Sequence, residues 1–166
     1  MLKELDPLAD PLRMIRAELL ETLDRLTPEQ LRVPFPGRDW AIRDALAHLA
    51  ANESLMTDVL ASIANETASP LPPDFDNDRF NAETVARAKS SSAAELRGAL
   101  EASRSKLFNV LESLTPGQLE RRGSHPLQGW LTVKEFLVVM YAHETVHVRE
   151  IVEHARQILK EASRHG

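Results

Sequence analysis

Three residues near the end of the sequence have the types and spacing of a metal site. The stretch AHETVHVRE, Ala142 to Glu150, contains His-Glu-x-x-His as His143, Glu144 and His147. Residues four apart on a helix have Cβ atoms about 5–6 Å apart, so both imidazoles can clamp one ion. The same motif marks zinc metalloproteases. A protease needs more than the motif. One class adds a glycine and a third histidine, and here Glu150 and Glu153 occupy those positions. Another class takes a glutamate from a later helix, and only 19 residues follow His147. No candidate sheet is available to bind an extended peptide. Protease activity is therefore not expected. Glu144 remains a candidate base on a water at the metal, or a partner that orients a ligand histidine.

A third ligand is available elsewhere. On a 100° wheel, Val133, Leu137, Met140, Val148, Ile151 and Ile158 fall on one side of the last predicted helix. His147 lies at the edge of that side, His143 a little further round, and Glu144 near its centre. Buried ionisable groups are costly unless paired or metal-bound. In an earlier helix His48 sits between Leu46 and Leu49 on the apolar side, with Asn52 one turn below it. A bundle would point His48 across the core at His143 and His147. Three nitrogens leave an open position for water or substrate, as in catalytic sites. The bland alternative is a satisfied core histidine and a chance pair. Asn52 is a candidate outer partner of the site. His154 lies two turns from His147, on the order of 10 Å along the axis, and is a poor third ligand. His125 sits in a loop, where it caps, is solvated or reaches the bundle mouth. His165 falls in the tail.

The elements that must carry these residues are helical. The 166 residues suit one domain, taken as 1–166, that can bury a core without disulfides. There is no cysteine, so thiolate metal sites and catalytic cysteines are excluded. The first residues lack the apolar run of a signal peptide and no segment is long enough to span a membrane, so a cytoplasmic location is expected. A net charge of −5 with scattered Lys and Arg argues against nucleic acid as a partner.

The first helix is expected from Pro7 or Pro11 to about Leu26, with Asp6 or Asp10 as N-cap. Its stripe is Leu12, Ile15, Leu19, Leu23 and Leu26. Thr27-Pro28-Glu29-Gln30 reads as a single turn and VPFPGRDW as a loop. A second helix runs from about Ala41 to Asn65. A proline-rich crossover, ASPLPPDFDNDRFN, leads to a helix from about Ala82 to Leu114 that can break at Ser90-Ser91-Ser92. A long loop reaches Trp130, and the last helix covers about Val133 to Ala162. The expected fold is all-α: a four-helix bundle with a long crossover between its second and third helices. LTPEQL at 26–31 returns as LTPGQL at 114–119. Each copy leads to a Trp and a helix opening with a charged pair: Trp40, Arg43 and Asp44, then Trp130, Lys134 and Glu135. An internal repeat with pseudo-two-fold symmetry accounts for both.

Taken in order, these motifs resemble the DinB/YfiT-like superfamily of bacterial four-helix bundles. The carriers are W-x-x-R-D-x-L-x-H-L at Trp40 to Leu49, DRFN at Asp78 to Asn81, and H-E-x-x-H-x-x-x-I at His143 to Ile151. Family members commonly continue the last motif as H-R-G-Q-I, where this sequence has His147-Val148-Arg149-Glu150-Ile151. The resemblance implies a divalent metal, often nickel or zinc, on His48, His143 and His147. It also implies a small-molecule substrate, and relatives include mycothiol-dependent maleylpyruvate isomerase and other thiol transferases. A low-molecular-weight thiol would come from outside, since the chain has no cysteine. A branch of relatives is labelled metal-dependent hydrolase, so activation of water is the alternative. A non-catalytic metal-binding or structural stress protein is the third reading. Apolar faces at the helix ends favour a homodimer.

Overall fold

The computed structural model describes residues 1–165; Gly166 and the side chain of His165 lie outside the described residues. A short 3-10 turn, Lys3–Leu5, leads into α1 (Asp6–Leu23). The chain continues through α2 (Ile42–Asn65), α3 (Asn77–Ala88), α4 (Ala93–Ser113) and the single turn α5 (Pro116–Leu119). A hairpin of β1 (Arg122–His125) and β2 (Gly129–Thr132) precedes α6 (Val133–His165). α1, α2, α4 and α6 make the four-helix bundle, with α2 against α4 and α6, and α1 against α6. No helix of the described residues is long and apolar enough to cross a membrane.

Helix boundaries follow local chemistry. Neither Asp6 nor Asp10 caps α1. The helix begins at Asp6 behind Leu5, and Pro11 lies inside it. Leu5, Ala9 and Leu12 are buried, so packing holds this first stretch helical through its prolines. The serine run does break the third predicted helix. Ser92 caps α4: its hydroxyl accepts from the Glu95 N–H at 3.2 Å, and the Glu95 carboxylate accepts from the Ser92 N–H at 2.7 Å. The crossover is shorter than expected, because Asp76 accepts from the Arg79 N–H at 3.0 Å and starts α3 at Asn77. DRFN therefore lies on a helix. The long loop before Trp130 holds the antiparallel hairpin, with Arg122 opposite Thr132 and His125 opposite Gly129. A Cβ on Gly123 would stand 2.4 Å from Ile63 Cγ1, so glycine lets β1 close onto α2.

The sequence repeat has a structural counterpart. In each copy the glutamine of T-P-x-Q accepts from the threonine N–H, at 2.9 Å for Thr27 and 2.8 Å for Thr115. Each copy then closes a β-like return: an isolated bridge between Pro34 and Ala41 in the first, the hairpin in the second. Each following helix opens on a carboxylate cap. Asp44 accepts from the Ala41 N–H at 2.8 Å and Glu135 from the Thr132 N–H at 2.7 Å.

The bundle interior has two apolar clusters with a charged layer between them. One cluster contains Leu12, Met56, Leu107 and Met140; the other contains Leu19, Leu49, Leu100 and Val148. Between them each helix supplies one charge: Arg16 from α1, Glu53 from α2, Arg104 from α4 and Glu144 from α6. Arg16 lies 2.9 Å from Glu144 and 3.1 Å from Glu53. Arg104 lies 2.9 Å from Glu53 and is also paired with Glu144. Arg16 donates to the Leu100 carbonyl at 2.5 Å, Arg104 to the Leu12 carbonyl at 2.8 Å, and Ser103 to Glu53 at 2.6 Å. The layer is neutral in sum. Removing one partner from a buried pair leaves its opposite charge uncompensated, at a cost of about 3–5 kcal/mol. Arg16→Met is expected to lower the unfolding free energy, read from a urea titration, by that amount. Arg16→Met/Glu53→Gln, which restores neutrality, should cost less than the sum of the single changes. Strict additivity of the two losses would show that the layer does not act as a unit.

Candidate metal centre

α6 carries His143 and His147 one turn apart on one side, and α2 brings His48 against them. One potential ligand atom from each of the three lies within 4.8 Å of the others. The Nε2 atoms of His48 and His143 are 3.0 Å apart. Ring centroids are 5.0 Å apart for His48 and His147, and 4.6 Å for His143 and His147. Two imidazole nitrogens, each about 2.0–2.1 Å from one ion, stand roughly 3.0–3.4 Å apart, so the spacing fits one ion. Three imidazoles suit a borderline-soft divalent transition ion.

The tautomer of His48 follows from its neighbour. Its Nδ1 lies 3.0 Å from Asn81 Oδ1, which can only accept, so Nδ1 carries the proton and Nε2 presents a lone pair. A ligand histidine is ordinarily oriented by such a partner on its other nitrogen. Asn81 fills the place expected for Asn52, which instead lies in the wall beside the histidines. On the far side His147 Nδ1 is 3.5 Å from Glu150 Oε2, and Arg38 grips both oxygens of Glu150, at 3.0 and 3.3 Å. The loop carrying Arg38 also places the Trp40 ring 5.4 Å from the His48 ring.

Glu144 does not orient the histidines. Both of its carboxylate oxygens are taken by Arg16 and Arg104 in the charged layer, on the bundle side of α6. It is therefore unsuited to serve as a base toward the cleft. Sequence reasoning missed Arg16, Glu53 and Arg104 as its partners. The signal was present, because each is a charge set one turn from two core leucines or a leucine and a methionine. His154 is also apart from the trio, with Nε2 3.3 Å from the Val33 carbonyl and its ring 4.8 Å from Phe35. His125 is buried and caps the hairpin turn. Its Nδ1 accepts from the N–H groups of Leu127 and Gln128, at 3.1 and 3.2 Å.

The histidines open on a cleft of about 620 Å³ between α2, α3, α6 and the hairpin turn. A second cavity, of about 450 Å³, lies between α2, α3 and α4; alanines and serines line it together with Arg87, Glu95 and Lys106, and no histidine does. Burial pushes His48 down to about 4, helped by nearby His147 and opposed by Asn81. Burial pushes His143 down to about 3, helped by His147, His48 and His125. His147 is also lowered, first by burial, while Glu150 opposes the shift. The trio is neutral near pH 7, with lone pairs available for a metal. Well above pH 6.5 neither folded nor unfolded histidine is charged, and these groups make no difference to stability. Between pH 6.5 and about 4 the unfolded chain takes up protons that the folded His48 and His143 refuse, so stability falls as pH falls. The urea midpoint of metal-free protein should drop across that window. His48→Gln/His143→Gln should flatten the slope; an equal slope in the variant would contradict the assignment.

The DinB superfamily pattern matches residues 12–151. No curated protein matches the chain. Among solved structures, YfiT from Bacillus subtilis, described as a probable metal-dependent hydrolase with an unusual four-helix bundle topology, is 22% identical with a TM-score of 0.77. That alignment covers 95% of this chain and 90% of YfiT. Mycothiol-dependent maleylpyruvate isomerase is 13% identical with a TM-score of 0.76, over 89% of this chain and 60% of the isomerase. A conserved protein from Enterococcus faecalis is 17% identical with a TM-score of 0.73, over 96% and 99% of the two chains. The family match spans most of the sequence, including all three histidines of the cluster, and the chain belongs to the DinB superfamily.

Proposed function

We propose that the chain is a metal-dependent enzyme in which His48, His143 and His147 hold one divalent transition ion, nickel or zinc, at the base of the cleft. The observation that carries this reading is the convergence of three neutral imidazoles, from two helices, on a space open to a ligand. Such an ion supplies Lewis acidity, lowering the pKa of a thiol or water at its open position. The chain has no cysteine, so a nucleophilic sulfur is brought by a low-molecular-weight thiol, and the reaction is an S-transfer or an isomerisation. Asn81 holds the His48 tautomer and Glu150, gripped by Arg38, steadies His147. His125, with Nδ1 occupied by backbone donors, keeps its Nε2 proton for a ligand in the cleft. A second reading, hydrolysis by activated water, is favoured by the description of YfiT and the near-complete overlap of the two chains.

Tag-free protein reconstituted with nickel or zinc should carry about one ion per chain by mass spectrometry, and His143→Ala/His147→Ala should carry none. Turnover that requires added thiol supports the transferase or isomerase; turnover without it supports the hydrolase. Absence of metal from the reconstituted parent rejects both. Removing an outer partner of a ligand histidine typically weakens metal binding about 10–100-fold. Glu150→Ala should do so in a chelator competition at unchanged stoichiometry, and an unaltered affinity would remove Glu150 from the site.

A further inference from the structure

The cleft beside the histidines is walled by apolar and amide side chains. Among the described residues, none of those lining it is Asp, Glu, Lys or Arg. Its walls are apolar, from Trp40, Met56, Val139 and Met140. Leu127 on the hairpin turn and Val146 on α6 stand at its surface, 64% and 57% exposed. The polar groups are amides, Asn52, Asn77 and Gln128 beside the Asn81 that holds His48, together with the histidine rings. Each can exchange a hydrogen bond with a neutral polar group, and none can neutralise a carboxylate. The buried arginines, Arg16 and Arg104, are committed to Glu53 and Glu144 on the bundle side.

We propose that this site selects a ligand with one metal-seeking head and an uncharged, largely apolar body. The inference rests on the metal reading given above. One anionic head, such as a thiolate, meets the positive charge brought by the ion. A second carboxylate further along the same ligand would be desolvated with no cation opposite it, which is costly. The apolar body instead covers Leu127, Val146 and the Trp40 wall, taking apolar surface out of water. A dicarboxylate such as maleylpyruvate is by this argument a poor fit to this chain.

The test uses cobalt(II)-loaded full-length protein and two thiols of the same frame, benzenethiol and 4-mercaptobenzoate. The thiolate-to-cobalt absorption band reports binding of each under anaerobic conditions. Benzenethiol should bind at least about tenfold more tightly, a difference of about 1.4 kcal/mol. Val146→Lys, an exposed change on a helix that tolerates it, should narrow or reverse the ratio by supplying the missing cation. Equal or tighter binding of 4-mercaptobenzoate to the parent overturns the inference, as does cobalt-loaded protein that binds neither thiol. Failure of the parent to take up cobalt overturns the metal reading itself and this inference with it.

Discussion

The charged layer across the middle of the bundle is the constraint on which the rest depends. Four helices each place one ionisable side chain at the same level, and two arginines and two glutamates satisfy one another there. Sliding any of these helices by one turn would exchange its charge for a leucine, methionine or valine and strand the other three. An apolar interface of leucine and alanine tolerates such slips; this one does not. The layer adds little net stability over a well-packed apolar equivalent, because desolvation offsets much of the attraction. What it supplies is register.

Register on α6 becomes geometry at the candidate metal centre. With Glu144 turned to Arg16 and Arg104, a helix of 3.6 residues per turn sets His147 about 60° and His143 about 100° round on the same side. That side faces α2 and the cleft. The Glu of His-Glu-x-x-His thus has a role opposite to the one it holds in a metalloprotease. It faces into the bundle and fixes the helix, and its neighbours face the cleft. Arg38 and Glu150 act on the other end of the same stretch, tying His147 to the loop that also carries Trp40.

The histidine trio and the bundle were legible because they depend on short-range periodicity. The spacing of His143 and His147, and the place of His48 among Leu46 and Leu49, survive any uncertainty in helix ends. Asn81 was not, although DRFN was noticed as a motif. The prolines at Pro70, Pro72 and Pro73 extend the apparent loop, and the start of α3 depends on one cap, Asp76. The hairpin was hidden because strands of four residues are too short to establish an alternation, and because Gly123 is explained only by the nearness of Ile63. Arg16, Glu53 and Arg104 could have been found. Each interrupts an apolar stripe, and their signs, with Glu144, sum to zero. Reading the four stripes together pairs them; reading each helix alone leaves them without partners.

The two sides of α6 divide the electrostatic work. On the bundle side every charge is matched, so the layer projects little field. On the cleft side the histidines are held neutral by burial, and no lining side chain carries a permanent charge. An ion received by the trio is then the dominant charge in a space walled largely by apolar groups, where its attraction for a ligand's head is poorly screened. Had Glu144 faced the cleft, its carboxylate would have offset half the charge of a divalent ion and competed for its open position. Committing that carboxylate to the arginines keeps the full charge directed at the ligand, so the contact that sets the bundle's register also sets the polarity of its candidate site.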